Sequence, residues 1–569
     1  MKIDRRQALG LIGAGAATPA AARALPPVPG AAGQFRHGLA SGDPGPRGAI
    51  LWTRFTPVDP DQTQPVRLTI SVWPWESERR PEDLVGVGYV SATRERDWTA
   101  KFDLEHDDAF NVLEPGQEYA FQFSVSSGEL DQKTPLGRFR TLPEEESEGD
   151  IVLAVASCTL HPNGYFNAYE AIAGLERVDA VLHLGDYIYE YGAAESDYGM
   201  RNGLALNRIP EPPHEIVTLA DYRLRHAQYK ADPQTQAAHS RAAWIMTFDD
   251  HEVTNDPWEG GAENHDEGEG SWADRKAAAL TAYLEWNPIR DPASGAPLID
   301  AVKRSFRFGQ TAELHMVETR LSARSQQLEY EDITAADGSI DRTRLDDPER
   351  RMMGQAQLDW LGAAMTNDAA WQVLGNQVLM ARIVVPDMVA AVGQAAIDAA
   401  MPGLRDYQQR RLTQMAALGA VQAPMNLDAW DGYPAERARL YGKVREAGAR
   451  LVVLSGDSHS AWASNLADDQ GQVGIEFGAT AVSSPVPSYA QALPGAPMAE
   501  LVAEASPDVE WCDFGPRGFF VLTLTPDAVE ARMMGVSTIA EPEFEIEERA
   551  RFRSEARAST PGPLERLQA

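Results

Sequence analysis

Four short apolar runs, each followed at once by residue types that bind metal ions, constrain the fold of this chain most strongly. Apolar runs of this length with β-branched members predict buried strands. In open α/β sheets the ligand site lies beyond the carboxyl ends of the strands. The four endings therefore predict one rim that carries metal-binding side chains. The runs and their endings are Ile151–Val155 with Ser157-Cys158, Ala180–Leu184 with Gly185–Tyr189, Trp244–Phe248 with Asp249–Glu252, and Leu451–Leu454 with Ser455–His459.

Length and charge limit the classes of function. The chain has 569 residues and a formal net charge of -33 at pH 7. Two domains are expected, because single domains rarely exceed ~250–300 residues. The negative charge argues against nucleic acid as a routine partner, since DNA binding relies on lysine and arginine at phosphates. It also argues against a protein held electrostatically at a membrane. A substrate that carries phosphate would need local cations, and bound metal ions supply them.

The beginning of the chain matches an export signal. Arg5-Arg6 precede a weakly apolar run over Ala8–Ala17, and Ala22-Arg23-Ala24 is an A-x-A cleavage site. The twin arginine favours the Tat route, and the alternative is a disordered basic start. We therefore expect residues 1–24 to be a Tat signal peptide, with the Tat translocon as a partner during export and a periplasmic or secreted mature protein. No later stretch reaches the ~20 apolar residues of a membrane span.

The pattern changes along the mature chain. Residues 35–143 alternate β-branched and aromatic residues between turn signals, which predicts an all-β domain. From residue 151 to 540, apolar strands alternate with helical patterns, as an α/β catalytic domain requires. Residues 541–569 are expected to be a charged tail, helical up to Ser559. The predicted N-terminal strands are Ala49–Arg54, Val66–Trp73, Glu118–Val125 and Gly137–Thr141, and the predicted helices include Tyr165–Gly174, Leu219–Tyr229, Ala273–Trp286 and Gly354–Met365.

One segment of the predicted catalytic domain is rich in glycine and acidic residues. It runs over Asn255–Ser271, directly after the third strand ending. The first interpretation is a solvated loop, because such a composition gives no apolar face to bury. The alternatives are a loop that lies over the site and a calcium-binding loop.

The donor groups of the four endings fall into two chemical kinds. The Cys158 thiolate, the Asp186 carboxylate and the Tyr189 phenolate are all anionic, and together they suit a trivalent transition metal such as ferric iron. Asp250 and Asp457 are hard oxygen ligands that suit calcium, magnesium or manganese. Asp186 has two oxygens and can bridge two ions. A two-metal site clamps the attacking and leaving oxygens of a phosphoryl displacement.

Each candidate also has a purely structural interpretation. Cys158 and Cys512 are the two cysteines of the chain, and in an oxidising compartment they invite a disulfide. A thiolate ligand is favoured, because Cys158 lies at a strand end in line with the other clusters.

The aromatic candidates leave similar alternatives open. Tyr189 is either a ligand or a core aromatic residue. His459 either binds metal or hydrogen-bonds a backbone carbonyl, and His251 is either functional or an ion-paired surface histidine. His183 alternates with leucines inside its strand, so we interpret it as a buried histidine of the core or behind the site.

Several motifs resemble one known family over nearly the whole mature chain. Their combination is similar to the alkaline phosphatase D family of the calcineurin-like metallophosphoesterases. The resemblance implies an α/β (α+β) four-layer metallophosphoesterase sandwich with an N-terminal all-β fibronectin/Ig-like domain. The motifs are Gly38–Pro44, Leu51–Arg54, Ser157-Cys158, Gly164–Tyr169, Leu182–Tyr191, Asp249–Val253, Trp371–Gln377, Asp428–Pro434 and Gly456–Trp462.

The resemblance also implies roles for the site residues. Gly185-Asp186 with Tyr189 is similar to the purple acid phosphatase pattern, in which tyrosinate binds ferric iron. Asp250 stands where the superfamily has a ligand asparagine, and His251 is the histidine that acts on the phosphate. Asp457 replaces a histidine. The implied cofactors are Fe³⁺ and Ca²⁺, and the implied metal ligands are Cys158, Asp186, Tyr189, Asp250, Asp457 and His459.

The motif Val317–Arg320 departs from the Leu-Asp-Thr-Arg sequence usual in that family. The longer carboxylate of Glu318 weakens a direct transfer of the role of the aspartate.

The leading hypothesis is an exported phosphoesterase with an alkaline optimum, in which a metal-activated hydroxide attacks a small phosphomonoester or phosphodiester. The alternatives are a phospholipase D-like phosphodiesterase and a non-catalytic periplasmic binding protein. A serine hydrolase is disfavoured, because the chain has no Gly-x-Ser-x-Gly sequence. We expect Asp197–Thr218 and Pro386–Gly432 to set the substrate preference.

Overall fold

The computed structural model describes residues 34–127, 130–366, 368–404, 406–487, 490, 493 and 495–568. The predicted Tat signal peptide at residues 1–24 lies outside the described residues. No helix of the described part of the chain is long and apolar enough to cross a membrane.

The first eight strands precede the first α-helix, and strands mixed with helices follow them. The strands are β1 (Leu39–Gly45), β2 (Gly48–Arg54), β3 (Val66–Pro74), β4 (Gly86–Ala92), β5 (Thr99–Asp103), β6 (Glu118–Ser127), β7 (Leu130–Lys133), β8 (Gly137–Arg140), β9 (Ile151–Ala156), β10 (Ala180–His183), β11 (Ala243–Met246), β12 (Pro257–Trp258), β13 (Gly261–Ala262), β14 (Arg304–Phe308), β15 (Ala312–Met316), β16 (Trp371–Gly375), β17 (Leu451–Ser455), β18 (Ala461–Asp468), β19 (Gly471–Gly478), β20 (Val509–Asp513), β21 (Arg517–Leu524), β22 (Ala528–Val536), β23 (Ile546–Glu555) and β24 (Glu565–Leu567). The helices are α1 (Asn167–Ala173), α2 (Met200–Leu206), α3 (Leu219–Ala231), α4 (Pro233–Arg241), α5 (Trp272–Trp286), α6 (Tyr330–Ile333), α7 (Arg342–Leu345), α8 (Gly354–Ala364), α9 (Met388–Val392), α10 (Gln394–Ala400), α11 (Asp406–Ala420), α12 (Pro434–Ala447) and α13 (Met498–Ala505).

Two large sheets hold the four predicted strands. A 10-stranded sheet has the order β24-β23-β22-β21-β9-β10-β11-β1-β2-β5, and a 7-stranded sheet has the order β14-β15-β16-β17-β19-β18-β20. Strands β9, β10 and β11 are parallel neighbours in the first sheet, and β17 is parallel to β16 in the second. The four strand ends therefore belong to two sheets, and the shared rim forms where the sheets pack together.

Side-chain alternation along the strands explains this packing, because successive residues of a strand point to opposite faces. Leu153 and Val155 of β9 join a buried cluster that also contains Val373 and Val452 of the second sheet. Ala154 and Ala156 of β9 instead join a cluster with residues of α1, α3 and α5. The second sheet contributes Leu374, Leu451 and Val453 to a cluster with residues of α8, α11 and α12. The mixed α/β fold expected from the alternating pattern is confirmed.

The N-terminal segment is all-β, and the four strands predicted in it are present as β2, β3, β6 and β8. Strands β3, β4, β6, β7 and β8 form a separate 5-stranded sheet, whereas β1, β2 and β5 belong to the 10-stranded sheet. The join is a parallel pairing of β1 with β11, in which Ser41 lies opposite Ala243. The N-terminal segment thus shares a sheet with β11, the strand that precedes Asp249 and Asp250.

The predicted helices are confirmed as α1, α3, α5 and α8. The helix expected up to Ser559 is wrong, because the structure has β23 there, paired with β22 and β24. Its alternating burial gives the physical reason. Ala550, Phe552 and Ser554 are buried while the charged residues between them are more exposed, which is the period of a strand and not of a helix.

Candidate metal centre

The turns that follow the strands place the candidate ligands by an unusual backbone conformation. Cys158, Asp186, Asp457 and His459 have φ values of 62°, 57°, 60° and 56°. Positive φ is uncommon outside glycine and costs free energy, so it persists only where the surrounding structure imposes it. Four of the six predicted metal ligands therefore lie in strained turns, which is typical of a functional site.

Two glycines allow these turns to approach each other. A Cβ atom on Gly185 would lie 2.3 Å from Cβ of Asp249, and a Cβ atom on Gly456 would lie 2.8 Å from Cβ of Ser157. The Gly-Asp pairs at Asp186 and Asp457 therefore use the missing side chain for close packing of neighbouring strand ends.

A buried carboxylate ties the turns together. The Glu252 carboxylate accepts hydrogen bonds from the backbone N–H groups of Asp186 at 3.1 Å, Tyr187 at 2.5 Å and Asp249 at 2.8 Å. Burial raises the pKa of Glu252 to about 8, against the effect of these hydrogen bonds. Glu252 thus fixes the ends of β10 and β11 relative to each other.

One half of the site, called here the thiol side, consists of Cys158, Asp186, Tyr189 and His459. Ligand atoms of Cys158, Asp186 and His459 lie within 4.8 Å of one another. The Tyr189 hydroxyl donates to Oδ2 of Asp186 at 2.8 Å and lies 3.1 Å from Nε2 of His459. The structure therefore brings these four predicted residues together.

The other half, called here the carboxylate side, consists of Asp249, Asp250 and Asp457. Their carboxylate oxygens also lie within 4.8 Å of one another, and a further group of Asp186, Asp250 and His251 links the two halves. Asp250 and Asp457 were predicted as ligands, whereas Asp249 was not. Asp249 could have been predicted as a ligand, because it lies next to Asp250 after the same strand.

The carboxylate side contains an arginine that sequence reasoning missed. The Arg320 guanidinium is fully buried and forms an ion pair with Asp249. It also lies 2.6 Å from Asp428, 3.3 Å from Asp457 and 3.7 Å from Asp250. Burial opposes the charge of Arg320, but these carboxylates raise its pKa well above the ordinary value. Arg320 is thus a fixed cation among the acidic groups.

Glu318, which departs from the pattern of the similar family, holds the Arg320 loop in place. Its carboxylate accepts hydrogen bonds from the backbone N–H groups of Arg320 at 2.7 Å, Leu321 at 2.6 Å and Ser322 at 2.9 Å. Glu318 is therefore a structural carboxylate. The motif Val317–Arg320 was the sequence feature that could have predicted a role for Arg320.

The carboxylate of Glu190, in the Leu182–Tyr191 motif, orients the His251 ring. Nδ1 of His251 lies 2.8 Å from Oε2 of the fully buried Glu190, whose Oε1 accepts from the backbone N–H of Asn255 at 2.8 Å. Burial lowers the pKa of His251, but Asp250, Glu190 and Asp186 raise it well above 6.5 overall. His251 is buried and stacked on Tyr189, with ring centroids 4.2 Å apart, so the surface-histidine interpretation is wrong.

The electrostatics of the site fit bound cations. Burial is the largest effect that raises the pKa values of Cys158, Asp186, Tyr189 and Asp457 well above their ordinary values. The anionic forms that bind metals are therefore costly in this pocket unless a cation compensates them. In addition, Oδ1 of Asp186, Oδ2 of Asp249 and Oδ1 of Asp250 are buried and accept no hydrogen bond from the described residues. These oxygens suit metal ligation.

The structural alternatives for the remaining candidates can be compared with the geometry. Cys158 and Cys512 are both free, so the disulfide is not formed. His183 is buried and lies 2.9 Å from the Tyr169 hydroxyl, as expected for a histidine behind the site. The backbone-carbonyl interpretation of His459 is confirmed, because Nδ1 lies 3.1 Å from the carbonyl oxygen of Pro485. Its Nε2 lies 3.1 Å from the Tyr189 hydroxyl on the thiol side, so metal binding by Nε2 stays a prediction.

A crevice of about 500 Å³, called here the first crevice, opens beside the carboxylate side. Parts of both loops that were expected to set the substrate preference line it, at Tyr198 and at Met425–Asp428. Asn255 and Asp256 of the acidic segment also line it, whereas Glu259 and Glu267 are exposed. The segment therefore starts at the site and continues through the short β12–β13 hairpin, in which Pro257, Gly261 and Ala262 are buried, so it is only in part the solvated loop that was expected.

The fold and the donor set are those of a candidate metallohydrolase. The model of the PhoD-like phosphatase family matches residues 153–533, and the model of the PhoD-like phosphatase N-terminal domain matches residues 20–143. The chain is 30% identical to alkaline phosphatase D of Bacillus subtilis (strain 168) over 535 residues, which cover 91% of this chain and 80% of that protein. This chain belongs to the PhoD-like phosphatase family and is a phosphoesterase hydrolase, which confirms the resemblance identified from the motifs.

A solved structure shows the same fold. A structure of PhoD matches with a TM-score of 0.75 and 28% sequence identity, and the match covers 94% of this chain and 92% of that chain. A purple acid phosphatase from yellow lupin (Lupinus luteus) seeds matches with a TM-score of 0.47 and 12% identity, over 92% of this chain and 74% of that chain.

Proposed function

We propose that this protein is an exported, metal-dependent phosphoesterase that hydrolyses phosphomonoesters, phosphodiesters or both at alkaline pH. The observation that carries the proposal is the meeting of a thiol side and a carboxylate side around Asp186, at the edge of a crevice of about 500 Å³. Alkaline phosphatase D of Bacillus subtilis, at 30% identity, supports the reaction class.

The two sides suit different ions. Cys158, Asp186, Tyr189 and His459 would hold Fe³⁺, because thiolate and phenolate are strong donors to a trivalent metal. Asp250 and Asp457, with Asp186 shared and Asp249 adjacent, would hold Ca²⁺, which prefers oxygen ligands. When bound, the ions supply Lewis acidity that activates water and neutralises developing charge.

His251 acts on the phosphate in this proposal. Glu190 accepts the hydrogen bond from Nδ1 at 2.8 Å, and Nε2 is thereby directed toward the cluster, 3.7 Å from Oδ2 of Asp250. A protonated imidazole at this position stabilises phosphoryl oxygens or protonates the leaving alkoxide.

The organisation of the chain is part of the proposal. Residues 1–24 would be a Tat signal, residues 35–143 a β-sandwich and residues 151–540 the catalytic domain. Residues 541–569, which were predicted as a charged tail, instead add β23 and β24 to the large sheet of that domain. The three buried clusters support four layers, with helices outside two packed sheets. Tat export of folded proteins suits a metal site that is assembled in the cytoplasm, and places the enzyme in the periplasm or outside the cell.

Rates on a monoester, a diester and a phospholipid test the proposal. We expect purified protein loaded with iron and calcium to hydrolyse p-nitrophenyl phosphate, bis(p-nitrophenyl) phosphate or phosphatidylcholine vesicles. Hydrolysis should stop on chelation and return with the metals. The alternative of a binding protein without activity would be supported if the metal-loaded protein turned over none of the three.

A further inference from the structure

Tyr198 lies where two crevices meet. The first crevice contains Asp457 and His459 in its wall, and a second crevice of about 890 Å³ contains Arg201, Ser484 and Arg517. Tyr198 lines both crevices. Tyr198 therefore borders both spaces beside the thiol side, and a phosphate ester with one group in each crevice would place its phosphorus near this residue.

The loop before α2 fixes this position. Gly199 has a φ of 79°, and a Cβ atom there would lie 2.6 Å from Cδ2 of Leu160. The chain can therefore press against Leu160 only because residue 199 has no side chain. The preceding Tyr198 ring is stacked beside His459, with centroids 6.2 Å apart at 25°.

The hydrogen bonds of His459 determine what the Tyr198 hydroxyl can do. Nδ1 of His459 lies 3.1 Å from the carbonyl oxygen of Pro485 and 3.2 Å from the Tyr198 hydroxyl. A carbonyl oxygen only accepts, so Nδ1 carries the hydrogen in this arrangement. The Tyr198 oxygen then accepts from the same N–H group and cannot donate to it.

The Tyr198 hydrogen consequently remains available for another acceptor. Among the described residues, His459 is the hydrogen-bond partner of this hydroxyl. A phenol keeps its proton near neutral pH and donates one hydrogen bond. In the crevices that acceptor is water, or an oxygen of a bound substrate that displaces the water.

We infer that Tyr198 is a catalytic residue that donates a hydrogen bond to an oxygen of the phosphate ester beside the metal centre. The inference rests on the proposed function. It adds a neutral donor to the charged groups of the site, and such a donor is most useful where negative charge grows on an oxygen in the transition state.

Tyr191 provides a matched control. Its ring lies near both Tyr198 and His251, with centroids 5.7 Å and 5.4 Å away, but its hydroxyl donates to Oδ1 of Asn255 at 3.2 Å. Removal of the Tyr191 hydroxyl therefore changes the same neighbourhood without removing a donor to the crevices.

Kinetics of Tyr198→Phe and Tyr191→Phe, measured on the metal-loaded full chain, test the inference. We expect Tyr198→Phe to lower kcat by about 10²-fold on p-nitrophenyl phosphate and bis(p-nitrophenyl) phosphate. KM and the iron and calcium contents should stay near those of the wild type, and Tyr191→Phe should keep its activity. Calorimetric titration with orthovanadate, a mimic of the transition state, should show weaker binding to Tyr198→Phe alone.

A Tyr198→Leu variant separates the hydroxyl from the ring. Loss of activity in both Tyr198 variants supports the hydroxyl as the donor. Normal kcat in Tyr198→Phe together with a slow Tyr198→Leu would overturn the inference, because only the ring that borders the crevices would then matter. A wild-type protein that is inactive with every ester would instead refute the proposed function, so the two failures are distinguishable.

Discussion

The thiol side is buried and the carboxylate side is buried except at the partly exposed Asp457, yet the larger difference between them is how their negative charge is balanced. On the carboxylate side, the Arg320 guanidinium is ion-paired with Asp249 and lies 3.3 Å from Asp457. On the thiol side, serine hydroxyl groups contact the cysteine sulfur and the tyrosine oxygen. Ser157 lies 3.3 Å from the Cys158 sulfur, and Ser484 donates to the Tyr189 hydroxyl at 2.7 Å.

This difference indicates how each side depends on its ion. A carboxylate cluster that already contains a guanidinium is partly neutralised before any metal binds, so its metal should exchange readily. Buried thiol and phenol groups lose their protons only against a bound cation. The thiol side should therefore hold its ion tightly, and loss of that ion should be the more damaging event.

Removal of the thiol gives the largest expected effect. Cys158→Ser replaces a soft donor to iron by a poor one, so the protein should lose iron, and activity should fall by more than about 10²-fold. Elemental analysis and initial rates measure both. Cys512→Ser is the control, because Cys512 lies on β20 and donates to the backbone oxygen of Ala499 at 3.2 Å. A Cys158–Cys512 disulfide in active enzyme, found by non-reducing peptide mapping, would defeat the thiolate assignment.

His251 stands at the junction of the two sides, and its replacement should affect chemistry without affecting metal binding. We expect His251→Ala to lower kcat by ~10²–10⁴-fold while iron and calcium contents stay near wild type. Glu190→Gln should have a smaller effect in the same direction, because it only weakens the orientation of the imidazole. Near-normal kcat in a metal-replete His251→Ala enzyme would remove this residue from the mechanism.

Arg320 tests the charge balance of the carboxylate side directly. Arg320→Met leaves the buried Asp249 without its ion-pair partner and leaves Asp428 with Arg324 alone, so the free energy of unfolding of chelator-treated protein should fall by about 3–5 kcal/mol. Added calcium should recover part of that loss in a denaturant titration.

Arg445→Met is the matched control for this measurement. It breaks an ion pair with Asp468 whose side chains are 25% and 23% exposed, and partly solvated pairs contribute only about 1 kcal/mol or less. Equal losses in the two variants would mean that Arg320 has no special role at the carboxylate side.

The smallest expected effect is on stability at acid pH, and it concerns the buried His183 behind the site. Burial, followed by the charge of Lys230, lowers the pKa of His183 to about 3, whereas an unfolded histidine titrates near 6.5. The unfolded state therefore binds the proton first. The stability that His183 contributes is complete above about pH 6.5 and is lost as the pH falls toward 3.

His183→Phe should remove this part of the acid sensitivity. The slope of unfolding free energy against pH between 4 and 6 should decrease by up to ~1.4 kcal/mol per pH unit. Tyr169 keeps a hydrogen bond to Thr159 at 2.7 Å in the variant. His106→Phe, at a side chain that is 74% exposed, serves as the control, and an identical slope in all three proteins would refute the assignment.

Local sequence was sufficient to predict the strand ends and the residues that follow them. Cys158, Asp186 and Asp457 lie within a few residues of an apolar run, so the strand itself determines where they point. Local sequence was not sufficient near the end of the chain, where a helix was predicted and the structure has the strand β23.

The rest of the site depends on contacts between distant segments. Tyr198 and Ser484 come from loops, and Arg320 reaches the carboxylate side only because β15 lies in the second sheet beside β16. The periodicity and spacing of residues in a single sequence do not indicate which loop packs over which strand end. The pairing of β1 with β11, which joins the N-terminal segment to the large sheet, could not be predicted from the sequence for the same reason.

The most direct test of the two-sided account is the metal-linked colour of the purified enzyme before and after EGTA. Tyr189 and Cys158 on one ferric ion should give a visible charge-transfer band, which zinc with its filled d shell cannot give. EGTA should abolish activity, added calcium should restore it, and the band should largely persist throughout; Tyr189→Phe should shift or bleach it. A colourless, fully active preparation that contains only zinc would contradict the account.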